Sequence, residues 1–367
     1  MQRKKWKILT ATSEGGLKMP YNANWNINHL TDDTLAAFVL NVGHGDAIVI
    51  RFPVVDGTIT CGVVDCYLYD KTRAALQLLG VDKIAFMCAT HPHRDHSLGF
   101  ANLIDWCVQN NIEVEQLWDS GFRHVSLDHY NLIRCLQRNS QIPFLRITSG
   151  FETIINKVRV LTMAPSISLK NRYDTFGTNI NNASIVLKLE YPAKDIAKYY
   201  RNAAIFSDED LAEEEKIAQN TIILSGDAQF DSWAHLTQEF PQQTRYSSTN
   251  RGQMIPWRPW SQVTHKPVRS QVIKIPHHMS KNGISYEVLD NIHAKYALVS
   301  CHNDHLHTCP HDLTVSATQE VRNCEIYYTG NQNVNLRGGT IAVLFNGDGA
   351  EPDLYCLRES SGQDAPI

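Results

Sequence analysis

An apolar run, Lys83 to Thr90, leads straight into His91-Pro92-His93-Arg94-Asp95-His96-Ser97. Three imidazoles and a carboxylate within six residues cannot all be buried unless something pairs with them, because each polar group taken out of water alone costs free energy. A strand that turns into a helix points alternate side chains one way and curls the last two toward a second point. A pair of divalent cations meets that demand. Imidazole nitrogen and carboxylate oxygen are ligands that zinc prefers, with iron, manganese or cobalt also compatible. The competing readings are a solvated histidine cluster or a helix start capped by Asp95, and distant partners weigh against both. Thr221-Ile-Ile-Leu-Ser-Gly-Asp227 is an apolar strand ending in an acid, and Gln271-Val-Ile-Lys-Ile-Pro-His277-His278 is one ending in two histidines. Folds that alternate strands and helices collect their sites at such strand ends.

The rest of the chain fits a large α/β unit. Short β-type runs at 35–42, 47–52 and 59–64 are separated by Gly43-His44-Gly45-Asp46 and Asp56-Gly57, which are turn formers. A helix is expected over 71–79, a strand over 83–90, helices over 98–109 and 129–138, and a strand over 114–118. Further strands are expected at 183–190, 221–224, 271–275, 296–300 and 339–345, with helices at 231–239, 285–291 and 313–321. Two sheet-rich halves with helices outside predict an α/β fold of the αββα sandwich class. The expected organisation is an irregular lead-in over 1–30, a catalytic domain over 31–350 and a tail over 351–367. Charged residues 192–219 and the Gln-, Arg- and Trp-rich 240–270 interrupt the domain as insertions. The first reads as a solvated helix. The second gathers Arg251, Trp257, Arg258 and Trp260, a grouping suited to a lid or a substrate-binding element.

Composition excludes several classes. No window approaches the roughly 18 apolar residues of a membrane-spanning helix, and the basic start, Met1 to Thr10, lacks the apolar core of a signal peptide. Nine scattered cysteines without a Cys-x-x-Cys pair indicate reduced thiols and a cytoplasmic location. A net charge of −4 argues against a wholly basic coat for nucleic acid, though not against a local basic groove.

HPHRDH is similar to the HxHxDH signature of the metallo-β-lactamase superfamily. LNVGHGDAIVI (40–50), GVVDC (62–66), NNASIVLKLEY (181–191), TIILSGDA (221–228) and VIKIPHHMS (272–280) resemble its ComEC-like branch, so the likeness runs from about Leu40 to Phe345. It implies an αββα sandwich and two divalent ions, zinc first and manganese as the alternative, about 3.5–4 Å apart as in two-metal hydrolases. His91 and His93 would hold the first ion, Asp95, His96 and His277 the second, and Asp227 would bridge them. His277 is preferred over His278 because it comes first after the strand and the proline. Asp65, Asn182 and His278 would stand behind the ligands, Asp65 orienting a histidine. Three departures stand out. Asn181-Asn182-Ala183-Ser184 occupies the region where most of the superfamily has a further histidine, Met279 replaces the glycine of His-His-Gly-Ser, and Tyr67 stands where a glycine often follows Asp-Cys. A late cluster, Cys301 to His311, reads as a site-lining loop in which His307 is the candidate proton donor.

The resemblance implies hydrolysis of phosphodiesters, DNA first, through a metal-activated hydroxide, with Asp95, Asp227 and His307 as the catalytic residues. Arg251, Trp257, Arg258 and Trp260 would then bind the strand, aromatic rings stacking on bases and arginines meeting phosphates. The alternatives are hydrolysis of a small ester, lactone or amide, and a toxin-like or defence effector released by a protein partner. No membrane association is expected.

Overall fold

The first sheet begins as an antiparallel meander of β1 (Leu35–Val39), β2 (Ala47–Arg51) and β3 (Thr60–Cys66). Our computed structural model describes residues 27–176, 179–193, 219–240, 243–247, 261–265, 268–301, 309–321, 323–330, 339–347 and 350–357. Helix α1 (Tyr69–Leu79) crosses from β3 to the parallel β4 (Lys83–Ala89) and stops at Gly80. Gly80 adopts φ 71° and gives its amide to the carbonyls of Gln77 and Leu76, the left-handed cap that glycine takes without a Cβ penalty. Then come the single-turn α2 (Arg94–Ser97), α3 (Phe100–Gln109), β5 (Glu113–Val114), β6 (Leu117–Asp119), α4 (Leu127–Arg138) and β7 (Phe144–Arg146). Ser126 caps α4 by accepting the His129 amide at 3.3 Å, a preferred N-cap arrangement.

The second sheet opens with β8 (Glu152–Ile155) and β9 (Val158–Ala164), followed by α5 (Ile167–Phe176). Beyond them lie β10 (Val186–Glu190), β11 (Thr221–Leu224) and α6 (Phe230–Glu239). The pair β12 (Gln243–Ser247) and β13 (Ser261–His265) forms a separate antiparallel ribbon. The chain continues through β14 (Val272–Lys274), α7 (Tyr286–Ile292), β15 (Tyr296–Val299), α8 (Asp312–Glu320) and β16 (Glu325–Tyr328). It then returns to the first sheet as β17 (Thr340–Phe345) and β18 (Asp353–Leu357). The strand orders are β18-β17-β1-β2-β3-β4-β6-β7, with β5 on β4, and β16-β15-β14-β11-β10-β9-β8.

Period-two alternation sends the two faces of each strand into different cores. From β1, Leu35, Ala37 and Val39 point between the sheets, where they join Ile48, Ile50, Leu187, Leu189, Ile222, Leu224 and Leu298. Ala36 and Phe38 point the other way, under Leu76 of α1, Leu103 of α3 and Leu132 of α4. The outer face of the second sheet is covered in the same manner, with Ile223 and Ile273 beneath Trp233 and Leu236 of α6 and Leu289 of α7. Helices cover both outer faces, so the architecture is the expected αββα sandwich. The expected tail contains β18, paired on β17, while 358–367 lie outside the described residues. So do 1–26 of the lead-in, 194–218 of the first insertion and 248–260 of the second. Among the described residues no helix is long and apolar enough to cross a membrane, and all nine cysteines carry free thiols.

Candidate functional site

Four chain segments meet at one end of the sandwich, where the parallel strands β4, β11, β14 and β15 finish. Beyond β4, Thr90 and His91 are buried, and α2 carries Asp95 and His96. Beyond β11, Gly226 takes φ 50° and brings its backbone against this segment. A Cβ there would stand 3.0 Å from Thr90 Oγ1 and 3.2 Å from Ser184 Cβ, so only glycine allows the approach that delivers Asp227.

One oxygen or nitrogen each from Asp95, His96, Asp227 and His278 lies within 4.8 Å of the others. Asp227 Oδ2 is 3.3 Å from His96 Nε2 and 4.0 Å from His91 Nε2, while Asp95 Oδ2 is 3.5 Å from His278 Nε2. The His93 ring packs on His91 with centroids 4.7 Å apart. His91 Nε2, His96 Nε2, His278 Nε2 and Asp227 Oδ1 are buried without hydrogen-bond partners. Buried polar atoms left in that state are rare and costly, and here they converge. Divalent cations bound among them would satisfy these atoms, so the donor set fits the metals that the motif implies.

Each of these inward nitrogens is aimed by a contact on the far side of its ring. His96 Nδ1 is 2.7 Å from Asp65 Oδ2, and Asp65 also accepts the Thr90 amide and hydroxyl at 2.8 Å each. His278 Nδ1 donates to the Ser300 carbonyl at 2.8 Å. His91 Nδ1 lies 3.1 Å from Thr90 Oγ1 and 3.2 Å from Ser184 Oγ. Carboxylate, carbonyl and hydroxyl partners of this kind hold ligand histidines in one orientation. Asp65, expected to orient a histidine, meets His96.

The electrostatics follow from carboxylates and imidazoles crowded together away from water. Burial alone would lower His96, but the Asp227, Asp65 and Asp95 carboxylates outweigh it and hold the imidazole well above its usual value. His278 is likewise raised, with Asp227 and Asp95 overcoming burial. Burial would raise Asp227, yet His96 and His278 bring it well below the ordinary carboxylate range. Burial and the neighbouring His96 push His91 well down, which leaves its nitrogen neutral and able to bind a metal.

The two histidines of the last motif face different partners. His277 Nδ1 accepts from Gln229 Nε2 at 3.0 Å and Ser280 Oγ at 2.8 Å, and its Nε2 lies 3.3 Å from Asn181 Nδ2. His277, His278 and Met279 all have positive φ, 49°, 50° and 66°. This left-handed turn brings His278 Nε2 into the group with Asp95, His96 and Asp227, while the expected ligand His277 meets Gln229, Ser280 and Asn181. Asn182, expected behind the ligands, instead accepts the Ser232 amide at 3.0 Å and faces Asp231 on α6. His307, Arg251, Trp257, Arg258 and Trp260 lie outside the described residues. At the end of the late cluster, His311 caps α8 through a 3.3 Å contact with the Leu313 amide.

Sequence reasoning missed four residues. His44 packs edge-on to His278 at 5.8 Å and His124 edge-on to His93 at 5.3 Å. The glycines flanking His44 hint at a tight approach, but nothing in the spacing marks His124. Asp46 and Lys274 form an ion pair with both side chains essentially inaccessible to solvent. The Asp46 amide donates to Asp95 O at 3.0 Å, and the Lys274 ammonium donates to Gly226 O at 3.2 Å. The pair therefore braces two ligand segments from behind. Removing one member of such a pair leaves a buried charge alone. Lys274→Met is thus expected to cost about 3–5 kcal/mol of unfolding free energy, and Asp46→Leu/Lys274→Met much less. Urea titration of the variants checks the ordering.

No protein-family model and no curated protein sequence matches the chain. Among solved structures it is similar to a mutant of CmlA beta-hydroxylase, with 10% identity, TM-score 0.41, 82% of this chain covered and 53% of that one. The chain thus spans about half of that protein's length. A diphosphatase of the PhnP family is similar at 12% identity and TM-score 0.39, over 85% of this chain and 98% of that one. The metallo-beta-lactamase fold protein YhfI from Bacillus subtilis is similar at 9% identity and TM-score 0.41, over 85% and 99%. Likenesses of this degree carry nothing about activity or substrate.

Proposed function

We propose that the chain is a metal-dependent hydrolase of phosphodiesters, with nucleic acid, DNA first, as its substrate class. The observation that carries the hydrolase reading is the convergence of buried, unpartnered donor atoms from His91, His96, Asp227 and His278. His91 and His93 with Asp227 would hold one divalent ion, and Asp95, His96 and His278 with Asp227 the other. Ions held there would polarise the scissile group and acidify a water molecule. The chain's own residues do the rest. Asp65, Ser300, Thr90 and Ser184 keep the rings aimed. Asp46 and Lys274 hold the Asp95 and Gly226 backbones in register. His44 packs against His278 and His124 against His93, where an imidazole can pass a proton to a departing oxygen. The ComEC-like motifs support the choice of phosphodiester over carboxylic ester. Arg251, Trp257, Arg258 and Trp260 stay within this reading as a strand-binding group.

Purified protein with Zn²⁺ or Mn²⁺ tests the proposal against single- and double-stranded DNA, RNA, bis(nitrophenyl) phosphate and nitrophenyl carboxylic esters. Phosphodiester cleavage that stops on chelation is expected. Cleavage of the carboxylic esters alone would replace this reading with that of a small-ester hydrolase.

A further inference from the structure

Helix α4 starts beside the site. His124, two residues before the Ser126 cap, rests on His93 with ring centroids 5.3 Å apart. Arg94, the first residue of α2, faces Asp128 in the first turn of α4 at 3.7 Å. Because α2 also carries Asp95 and His96, the first turn of α4 adjoins two of the segments that supply the proposed ligands. Packing settles the inner face of α4, where His129, Leu132, Cys135 and Leu136 are buried. Leu127, Tyr130 and Arg134 follow at i, i+3 and i+7 and form one outward stripe. At 1.5 Å per residue the stripe runs about 10 Å along the helix.

Val125 is 100% exposed, Leu127 71% and Tyr130 56%. One exposed apolar side chain is ordinary, but three so close together form a patch, and a patch rimmed by polar groups marks a site of interaction. The rim here is cationic. Arg134 Cζ stands 5.9 Å from the centre of the Tyr130 ring, and Arg123 is exposed just ahead of the helix. Arg94 and Arg138 are exposed at either end, facing Asp128 and Asp105 at 3.7 Å each. Asp128 is the one acid in the sequence of α4. Arginine beside an aromatic ring suits a polyanion whose bases are open, since the cation meets phosphate while the ring takes any base. A duplex hides its bases in the stack and would leave Val125, Leu127 and Tyr130 without a use. An apolar protein segment would leave the arginines without one.

We propose that the outward stripe of α4, Leu127, Tyr130 and Arg134 with Val125 before it, binds single-stranded nucleic acid next to the scissile phosphate, Tyr130 stacking on a base. The proposal deepens the phosphodiesterase reading and rests on it for the scissile phosphate. It narrows the substrate class from nucleic acid to its single-stranded form. A strand that crosses His93 and His124 continues onto the first turn of α4.

The test uses the full chain loaded with Zn²⁺ and follows binding by fluorescence anisotropy over a range of salt. The probes are a labelled phosphorothioate oligothymidylate, its duplex with oligoadenylate and an abasic oligomer of equal length. Wild type should bind the single strand more tightly than either of the others. Tyr130→Ala is expected to weaken single-strand binding about tenfold, within the range of one lost base stack, and to leave its salt dependence unchanged. Tyr130→Phe keeps the ring and should keep the affinity. Arg134→Gln should make the slope of log affinity against log salt shallower by about 0.7, the share of one phosphate contact on a single strand. These side chains are exposed, so the variants should fold as the wild type does. Val55→Ser/Lys157→Gln, in turns at the end of the sandwich opposite the site, should leave binding unchanged. Equal affinity for single strand and duplex, unchanged binding by Tyr130→Ala, or equal weakening in the control overturns the proposal. If Tyr130→Ala keeps its oligonucleotide binding but turns a wild-type dimer into a monomer in light scattering, the stripe is an interface between copies and the proposal falls. If the wild type cleaves no phosphodiester while Tyr130→Ala, but not the control, weakens single-strand binding, the binding face stands and the reaction assignment falls.

Discussion

Asp227→Ala is expected to abolish hydrolysis, with turnover reduced well beyond a hundredfold, and to leave the protein folded but depleted of divalent ions. Its carboxylate stands between His91 and His96, at 4.0 and 3.3 Å, so one substitution strips a ligand from both proposed ions. Loss of an outer partner alone typically lowers metal affinity or activity 10–100-fold, and loss of a shared ligand must exceed that. Elemental analysis after chelator-free purification supplies the decisive reading. A variant that keeps its metal and near-native turnover would show that Asp227 has been given the wrong role.

The second large effect separates the two adjacent histidines. His278→Ala is expected to lower divalent-ion affinity more than about a hundredfold, the upper end of losses seen for outer partners. His277→Ala, whose ring is held by Gln229, Ser280 and Asn181, should change it by less than tenfold. Competition against a chromogenic chelator measures both, and equal losses would sink the assignment. The pH dependence follows in sign. Without metal, His96 and His278 hold protons through pKa values raised above 6.5 by the carboxylates. That stabilisation is complete below the unfolded value and fades as pH rises through the folded ones. Asp227, depressed below 3.8, contributes above the unfolded value and loses its effect as pH falls through the folded one. Chelated protein should therefore lose stability as pH climbs past about 6.5, whereas metal-loaded protein should not. Metal binding in that range should release protons.

Much of this was legible in the chain because the informative segments are simple. HPHRDH after an apolar strand, an acid after Thr221–Leu224, and two histidines after Val272–Lys274 needed only strand ends and ligand chemistry to be read. Both faces of β1 and β2 are buried, so their apolar runs carry strong signals. Short or half-exposed strands were missed, namely β7, β8 with its alternation of exposed and partly buried residues, and β16, and so were the longer and more buried β9 and β18. Three or four residues of mixed character do not stand out from a loop. The placing of His278 rather than His277 beside Asp95 and Asp227 depends on three consecutive left-handed residues, and only a glycine would have announced such a turn. Met279 fills that position and buries its side chain in the outer core, so packing holds the conformation that glycine would have adopted freely. Asp46 and Lys274 were invisible as a pair because their partnership is tertiary and spans most of the fold.

The path of β17 has a consequence for synthesis. β1 has two neighbours, β2 close behind it in the chain and β17 from the far end, in the register Phe38 to Ala342. Until Thr340–Phe345 has left the ribosome, one edge of β1 has no partner from its own sheet, with Leu35 to Val39 apolar along its whole length. An apolar strand edge of that kind is a template for pairing with other chains. Chains cut short before β17, or stalled there during translation, should therefore aggregate even though every proposed metal ligand has already been made.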